Sequence, residues 1–298
     1  MFKAVQLAEH IKTYKGVNRL FKGGYVVEPK INGLRGEIAS DGIYSRYSNA
    51  WGFDTTKTEK LFNFLGLANI ALDGEFDSLA YEADGTLVNH NDRRLLTASI
   101  LKTNKIANEN LDKLVYWVFD IIIPNNVFTL AERKNYLTSI MEALNKVSPF
   151  TIKFTPYIEV KSEKTFELAL DYFMKNGFEG AMLKKLTATY KGKRTADWIA
   201  YKQRYTSDFP IVRVECGTKG KKNEFKMGSL VLKTPRGESE VGTGFNDEQR
   251  EWFLKNKDKV RGVVVEVEHE GVSEKYGNLI NVSFVRIRDD KPLWEISY

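Results

Sequence analysis

The sequence has little cysteine, little proline and no long apolar run, and each shortage excludes a class of protein. Its 298 residues include one cysteine and 7 prolines. The single cysteine, Cys216, excludes an intramolecular disulfide and a cysteine-rich zinc site. No stretch approaches the roughly 20 apolar residues that a membrane-spanning helix needs. These shortages predict a soluble, cytoplasmic protein with no membrane partner.

What the sequence does contain is a globular composition with a modest excess of positive charge. Hydrophobic residues make up 42% and charged residues 28% of the chain, and its formal net charge is +6. The length favours two domains over one large core. Basic residues concentrate between Arg213 and Arg236, where Lys221 and Lys222 stand side by side. This segment is either a solvated loop or a surface that follows the phosphates of a nucleic acid.

The hydrophobic pattern changes near residue 206. Strands and amphipathic helices alternate before the polar segment Arg204–Pro210, which favours a domain boundary. Beyond it the pattern predicts five short strands and one helix, Asp247–Lys255, capped by Asn246. That set fits a small Greek-key barrel of the OB type, although a small β-sandwich would give similar signals. We therefore expect an α+β chain with domains at residues 1–206 and 207–298.

The segment EPKINGLRG, residues 28–36, is the strongest local candidate for a functional site. It follows an apolar strand, and Asn32-Gly33 predicts a tight turn because both residues tolerate positive φ. That turn would place Lys30 at the end of one strand and Arg35 on the returning strand. An amine and a guanidinium there could cradle phosphate, or they could simply form a charged hairpin tip.

Further motifs follow in order along the chain. In LDGEF, Asp73 and Glu75 lie on one face of a predicted strand, where paired carboxylates indicate a cation, a ligand hydroxyl or an exposed surface. The apolar run Val115–Ile123 predicts a buried strand, so Asp120 within it needs a partner. A capping box, Thr129 to Glu132, predicts the start of a helix. The remaining motifs are EGAMLKK, a strand ending in Lys202, and FVRIRDDK.

The order of these motifs resembles that of the covalent nucleotidyltransferase superfamily, and most closely the small ATP-dependent DNA ligases of viruses, phages and bacteria. The resemblance runs from about Val26 to Trp294. It implies an adenylation domain of antiparallel sheets with flanking helices, followed by an OB-fold domain. It also implies a monomeric enzyme that uses ATP and Mg²⁺ and joins the 5′-phosphate to the 3′-hydroxyl of nicked double-stranded DNA.

The resemblance implies a role for each matching residue. Lys30 matches the nucleophile that carries AMP, and Arg46 matches the arginine that grips the 5′-phosphate of the nick. Glu179 and Asp73 would help to hold Mg²⁺. Apart from the resemblance, the basic run between Arg213 and Arg236 makes Lys221 and Lys222 candidate DNA contacts. The ATP-binding positions are Glu28 (adenine pocket), Glu75 (ribose), Phe119 (adenine ring), and Arg35, Lys184, Lys202, Arg286 and Arg288 (phosphates).

The sequence departs from the family pattern at three positions. Asn32 stands where the family usually has aspartate, so the charge beside Lys30 is missing. Ala200 replaces the first of two lysines that the family often has in one strand, and nearby Lys191, Lys193 or Arg194 could substitute for it. Ile280 stands where the last motif often opens with arginine.

Three other functions remain open on this evidence. A messenger-RNA capping guanylyltransferase has the same plan but uses GTP. An RNA ligase would seal RNA in place of a nicked duplex with a DNA 3′-hydroxyl strand. A noncatalytic nick-binding module, which Asn32 and Ala200 favour, would bind nicks without any covalent AMP.

Overall fold

The computed structural model describes residues 5–11, 20–54, 56–67, 69–79, 81, 88, 90–102, 108–125, 127–273 and 277–291. The chain divides into two compact units, Met1–Lys202 and Gln203–Tyr298. No helix in the described ranges is both long and apolar enough to cross a membrane. Strands and helices are both abundant, which confirms the expected α+β class.

Unit 1 contains ten strands and five helices within its described residues. The strands are β1 (Leu7–Ile11), β2 (Tyr25–Lys30), β3 (Leu34–Ala39), β4 (Gly42–Ser45), β5 (Ala71–Ser78), β6 (Leu114–Ile122), β7 (Thr151–Phe154), β8 (Ile158–Glu159), β9 (Gly180–Lys185) and β10 (Arg194–Lys202). The helices are α1 (Thr56–Phe64), α2 (His90–Leu101), α3 (Asn108–Leu111), α4 (Leu130–Val147) and α5 (Glu163–Lys175).

The strands of unit 1 form two five-stranded sheets, in the orders β1-β10-β9-β2-β8 and β4-β3-β5-β6-β7. Helix α5 packs on β2 and β9 of the first sheet, and α4 packs on β6 and β7 of the second. Each sheet has its own apolar core, one centred on Phe166 and Leu183 and the other on Phe76 and Tyr116. Both sheets therefore have a buried face, which fixes their registers.

The predicted hairpin at Asn32-Gly33 is wrong. Strand β2 pairs with β8 and β9, whereas β3 pairs with β4 and β5, so the chain crosses from one sheet to the other at residues 31–33. Neither Asn32 nor Gly33 has a positive φ. A Cβ at Gly33 would lie 1.9 Å from the carbonyl oxygen of Phe76. Close backbone approach, and not turn geometry, therefore requires this glycine.

Unit 2 is built on one antiparallel sheet. Its elements are β11 (Tyr205–Cys216), β12 (Met227–Thr234), β13 (Gly237–Val241), α6 (Asp247–Lys255), β14 (Val264–His269) and β15 (Ser283–Ile287). The strand order is β13-β12-β11-β14-β15, and β13 and β15 are not paired with each other among the described residues. Five strands and one helix match the predicted content, but these pairings do not show the closed barrel of an OB fold.

The polar segment predicted as a boundary is part of strand β11. Residues 205–210 pair with β14, and the first unit ends at Lys202. The polar side chains find partners in unit 2: Ser207 contacts His269 at 3.0 Å, and Asp208 accepts from Arg288 at 2.9 Å. Because these partners lie far along the chain, the local polarity of the segment favours a domain boundary and gives no sign of the strand.

Candidate active site

A cavity of about 370 Å³ opens in unit 1 and is lined by residues of both sheets. Several of the predicted site residues line its wall. Among them are Glu28, Lys30, Arg35, Arg46, Glu75, Phe119 and Lys184. Because the chain crosses between the two sheets at residues 31–33, β2 and β3 both border the cavity. Residues close in sequence therefore line it from both sheets.

Lys30 lies at the end of β2 and is paired with a carboxylate. Its Nζ is 2.5 Å from Oε2 of Glu179, and the other oxygen, Oε1, pairs with Lys202. The backbone amide of Glu179 also donates to the carbonyl of Lys30 at 2.9 Å. Burial alone would raise the pKa of Glu179, but the charges of Lys30 and Lys202 outweigh it and hold that pKa below its usual value. Glu179 is therefore an anion held between two amines.

A second carboxylate is held between two lysines deeper in the unit. Oε1 of Glu28 is 2.5 Å from Nζ of Lys134, and Oε2 is 2.7 Å from Nζ of Lys184. All three side chains are about 1% exposed. Burial lowers the pKa of Lys184, although the charge of Glu28 opposes that shift. Lys184 lines the cavity but is not an open, solvated phosphate ligand, because Glu28 holds it.

Aromatic rings cover this buried lysine. Nζ of Lys184 lies 4.2 Å from the ring centre of Phe119 and 4.1 Å from that of Trp198. The two rings meet edge to face with centres 5.7 Å apart. Phe119 is 8% exposed and lines the cavity, so it is both a core residue and a surface for a ligand. A flat apolar wall of this kind suits a nucleobase.

Arg35 and Asp73 form a bidentate pair that differs from the roles expected of them. Nε and Nη2 of Arg35 donate to Asp73 at 2.9 and 2.5 Å, and Nη1 donates to the carbonyl of Gln6 at 2.7 Å. Asp73 is fully buried and also accepts from the hydroxyl of Tyr190 at 2.8 Å. Burial would lower the pKa of Arg35, but the charge of Asp73 raises it overall. Both side chains are paired with each other here, and the phosphate role of Arg35 and the metal role of Asp73 stay predictions.

Glu75 faces the cavity and is the second carboxylate near Lys30. Its Oε1 accepts from the amide of Gly33 at 3.0 Å. Burial raises its pKa, while the charge of Lys30 opposes the rise. Within the described residues no three His, Cys, Asp or Glu side chains form a group that could hold a metal alone. Glu75 and Glu179 nevertheless supply the oxygen donors that Mg²⁺ prefers when phosphates and water complete its shell.

Asn32 donates from its side-chain amide to two partners. Its amide Nδ2 lies 2.9 Å from Nδ1 of His90 and 2.8 Å from Oδ1 of Asn91, at the start of α2. Because an amide nitrogen only donates, both partners accept. Burial lowers the pKa of His90, which favours the neutral ring that can accept.

The remaining predicted residues have other surroundings in their own units. Arg46 is exposed after β4, lines the cavity and sits 5.7 Å from the ring centre of Tyr47. Among the proposed substitutes for the lysine missing at position 200, Arg194 lines the cavity and Lys191 pairs with Asp197. In unit 2, Arg286 pairs with Glu266 at 2.8 Å and Arg288 with Asp208 at 2.9 Å, while Lys221 and Lys222 are exposed.

Sequence reasoning missed several residues of this site. Lys134, His90 and Tyr190 reach it from elements far away in the chain, and none stands in a motif. Trp198 could have been found, because alternation along β10 puts it on the same face as Ala200 and Lys202. Arg94 was also missed, and its guanidinium donates to the carbonyl of Gly33.

A family model described as ATP dependent DNA ligase domain matches residues 5–202. A search of curated protein sequences found no match. The match covers unit 1, which carries the cavity, from residue 5 to its end.

Solved structures share the fold across the chain. A Lig E DNA ligase aligns at a TM-score of 0.74 and 23% identity, over 97% of this chain and 100% of that one. The ATP-dependent DNA ligase of bacteriophage T7, in complex with ATP, aligns at 0.55 and 17%, over 96% and 99%. The Chlorella virus DNA ligase-adenylate aligns at 0.51 and 21%, over 97% and 100%. At these identities the likeness establishes the mixed α+β, nucleotidyltransferase-like fold.

Proposed function

This chain belongs to the ATP-dependent DNA ligase family, and on that premise we propose that it seals nicks in duplex DNA through an AMP carried on Lys30. The observation that carries the proposal is the position of Lys30. Its amine lies on the wall of a cavity that also presents Glu75, Phe119 and Lys184, and it is paired with Glu179. That combination supplies a nucleophile, a ribose acceptor, a base platform and positive charge in one place.

In the first step the amine of Lys30 attacks the α-phosphorus of ATP. A nitrogen–phosphorus bond forms, the bond to pyrophosphate breaks, and the amine loses a proton. Glu179 orients the amine of Lys30 through two hydrogen bonds. Its backbone amide donates to the carbonyl of Lys30, and its carboxylate accepts from the Lys30 amine. Attack requires that the amine leave this ion pair, so the resting arrangement holds Lys30 in place without activating it.

We place the nucleotide by the chemistry of the cavity wall. Phe119 packs on the adenine ring, and Glu75 accepts from a ribose hydroxyl. Glu28 is held by two lysines and presents a fixed carboxylate edge to the base pocket. Lys202 supplies charge for the phosphates, and Arg194 does so in place of the family's first lysine, which is Ala200 here.

Mg²⁺ would be held by Glu179 and the phosphate oxygens of ATP, with Glu75 nearby. Bound there, it would neutralise charge that develops on the phosphates. Asp73 is left out of this set because its side chain is fully buried, whereas the side chain of Glu179 is 8% exposed.

The later steps need DNA. AMP passes from Lys30 to the 5′-phosphate of the nick, and the 3′-hydroxyl then displaces it. We propose that Arg46 contacts that 5′-phosphate, that unit 2 is an OB-type DNA-binding domain, and that the enzyme acts as a monomer. Arg286 and Arg288 stay predictions from the family pattern.

The decisive experiment is covalent labelling. The protein would be incubated with Mg²⁺ and ATP labelled at the α-phosphate, beside a Lys30→Ala control, and then given nicked DNA. We expect label on denatured wild-type protein only, and its discharge by the nick with sealing. Label supplied by GTP would indicate a capping enzyme, and sealing of RNA but not of a nick with a DNA 3′-hydroxyl would indicate an RNA ligase. Nick binding by folded protein that takes no label, and was not already adenylated, would leave a binding module.

A separate variant tests the DNA contact of unit 2. Replacing Lys221 and Lys222 by alanine should weaken nick binding at low salt and reduce the slope of log affinity against log salt by about 2. An unchanged slope would show that the two lysines are only solvated.

A further inference from the structure

The β11–β12 loop, residues 217–226, is an ordered platform on unit 2. The amide of Gly217 donates to the carbonyl of Lys226 at 2.8 Å, which closes the loop. The amide of Glu224 donates to the carbonyl of Lys221 at 3.0 Å, and its carboxylate accepts from the amide of Gly220 at 3.0 Å. A Cβ at Gly217 would lie 1.6 Å from the carbonyl of Asn223, so the loop folds tightly on itself.

This platform presents an aromatic ring to solvent. Phe225 is 86% exposed, as much as any large apolar side chain described in the molecule. It contributes almost nothing to the core of unit 2, which is formed by buried residues such as Leu230 and Phe253. An ordered loop that turns a phenylalanine outward loses the hydrophobic stabilisation that burial would give.

The loop carries more positive than negative charge, since Glu224 is its one carboxylate. Lys219, Lys221 and Lys222 are exposed in the same loop. Lys226 is used differently: it anchors the loop to helix α6 through Glu251 at 2.8 Å and Asp247 at 3.4 Å. The loop is thereby fixed at its base, while three lysines and one phenylalanine of the same loop are exposed.

We propose that the β11–β12 loop is a duplex-DNA contact in which Phe225 packs against the sugars and base edges of a groove while the lysines hold the flanking phosphates. Lysines alone would bind any polyanion, because phosphate contacts carry no sequence information. An exposed ring in the same loop adds an apolar contact that a nucleic-acid groove or an exposed base can use. Loop order matters here, because a pre-formed loop loses little entropy on binding.

The proposal rests on the proposed function and is tested separately from it. Binding to a fluorescein-labelled nicked duplex would be measured by anisotropy over a range of salt for the full chain, Phe225→Ala and Phe225→Trp. The matched control is Phe64→Ala, because Phe64 is also 86% exposed but lies at the end of α1, where the last turn carries no basic residue. Melting temperatures check that each variant is folded.

We expect Phe225→Ala to weaken nick binding by about tenfold or more with an unchanged salt slope, since the ring carries no charge. Phe225→Trp should restore binding, and Phe64→Ala should bind as the wild type does. Equal affinity of Phe225→Ala and wild type would overturn the proposal, as would a loss seen only with single-stranded DNA. Failure of the proposed function looks different: wild-type protein would then take no AMP from ATP.

Discussion

Glu37 offers a quantitative test of the charge network behind the cavity. It lies on β3 opposite Asp73 on β5 and is 4% exposed. Burial, and then the charge of Asp73, raise its pKa from 4.5 to about 7, while Arg35 opposes the rise. The folded protein therefore keeps a proton on Glu37 at a pH where the unfolded chain has lost it.

The sign of the effect on stability follows from that difference. Between pH 4.5 and 7 the native state binds more protons at this site than the unfolded state does, so the free energy of unfolding falls as pH rises. Converted at about 1.4 kcal/mol per pH unit, the difference in pKa corresponds to about 3 kcal/mol lost by pH 8. Because the side chain of Glu37 is almost fully buried, solvent screens its charge little, and the free-energy difference is not reduced for screening.

The perturbation is Glu37→Gln, which fixes the uncharged form. We expect the variant and the wild type to have similar free energies of unfolding at pH 5, and the variant to be more stable by up to about 3 kcal/mol at pH 8. Urea unfolding followed by tryptophan fluorescence measures both, and the difference between proteins removes the contribution of other titrating groups. Glu167→Gln, at an exposed position on α5, is the control and should show no pH-dependent gain. Parallel curves for wild type and Glu37→Gln would refute the reasoning.

Two further predictions concern charges close to the cavity. Glu28→Gln should cost about 3–5 kcal/mol in urea unfolding, because it leaves the buried amines of Lys134 and Lys184 facing an uncharged amide. Lys134→Met should cost less, because Glu28 and Lys184 then remain as a neutral pair; a larger loss for Lys134→Met would contradict this account. Asn32→Asp should slow AMP labelling at pH 8 more than at pH 6, because the new carboxylate cannot donate to Nδ1 of His90 and is stabilised most when that ring is protonated. Identical pH profiles for Asn32→Asp and wild type would show that the contact has no role.

Local signals predicted local structure well. Helix α4 begins at the capping box of Thr129 and Glu132, and α6 has the predicted bounds and the Asn246 cap. The buried aspartate of β6 has the partner that its burial demanded, since Arg133 donates to Asp120 at 2.6 and 2.9 Å. Each of these rests on residues close together in the chain or on a rule about a single buried charge.

Pairing between distant segments was not predictable in the same way. Strand β1 lies parallel to β10 at a sheet edge, although nothing in the first residues marks it as a partner of that strand. The Asn-Gly sequence after β2 favours a hairpin locally. The close approach of Gly33 to the backbone of Phe76 determines the backbone conformation there instead. In both places tertiary contacts overrode a local pattern.

The ordered motifs are connected in space as pairs of opposite charge. Lys30 pairs with Glu179, Glu28 with Lys184, and Arg35 with Asp73, so each pair joins two segments that are separate in sequence.

A charge buried without its partner would cost several kcal/mol, so the two segments of each pair depend on each other. This dependence gives a physical reason for the ordered motifs, because the motifs carry counterions that one fold brings together. The departure at Asn32 obeys the same rule, since its amide is matched by the accepting ring of His90. We therefore expect a change at either residue of a pair to be tolerated only when the other changes with it.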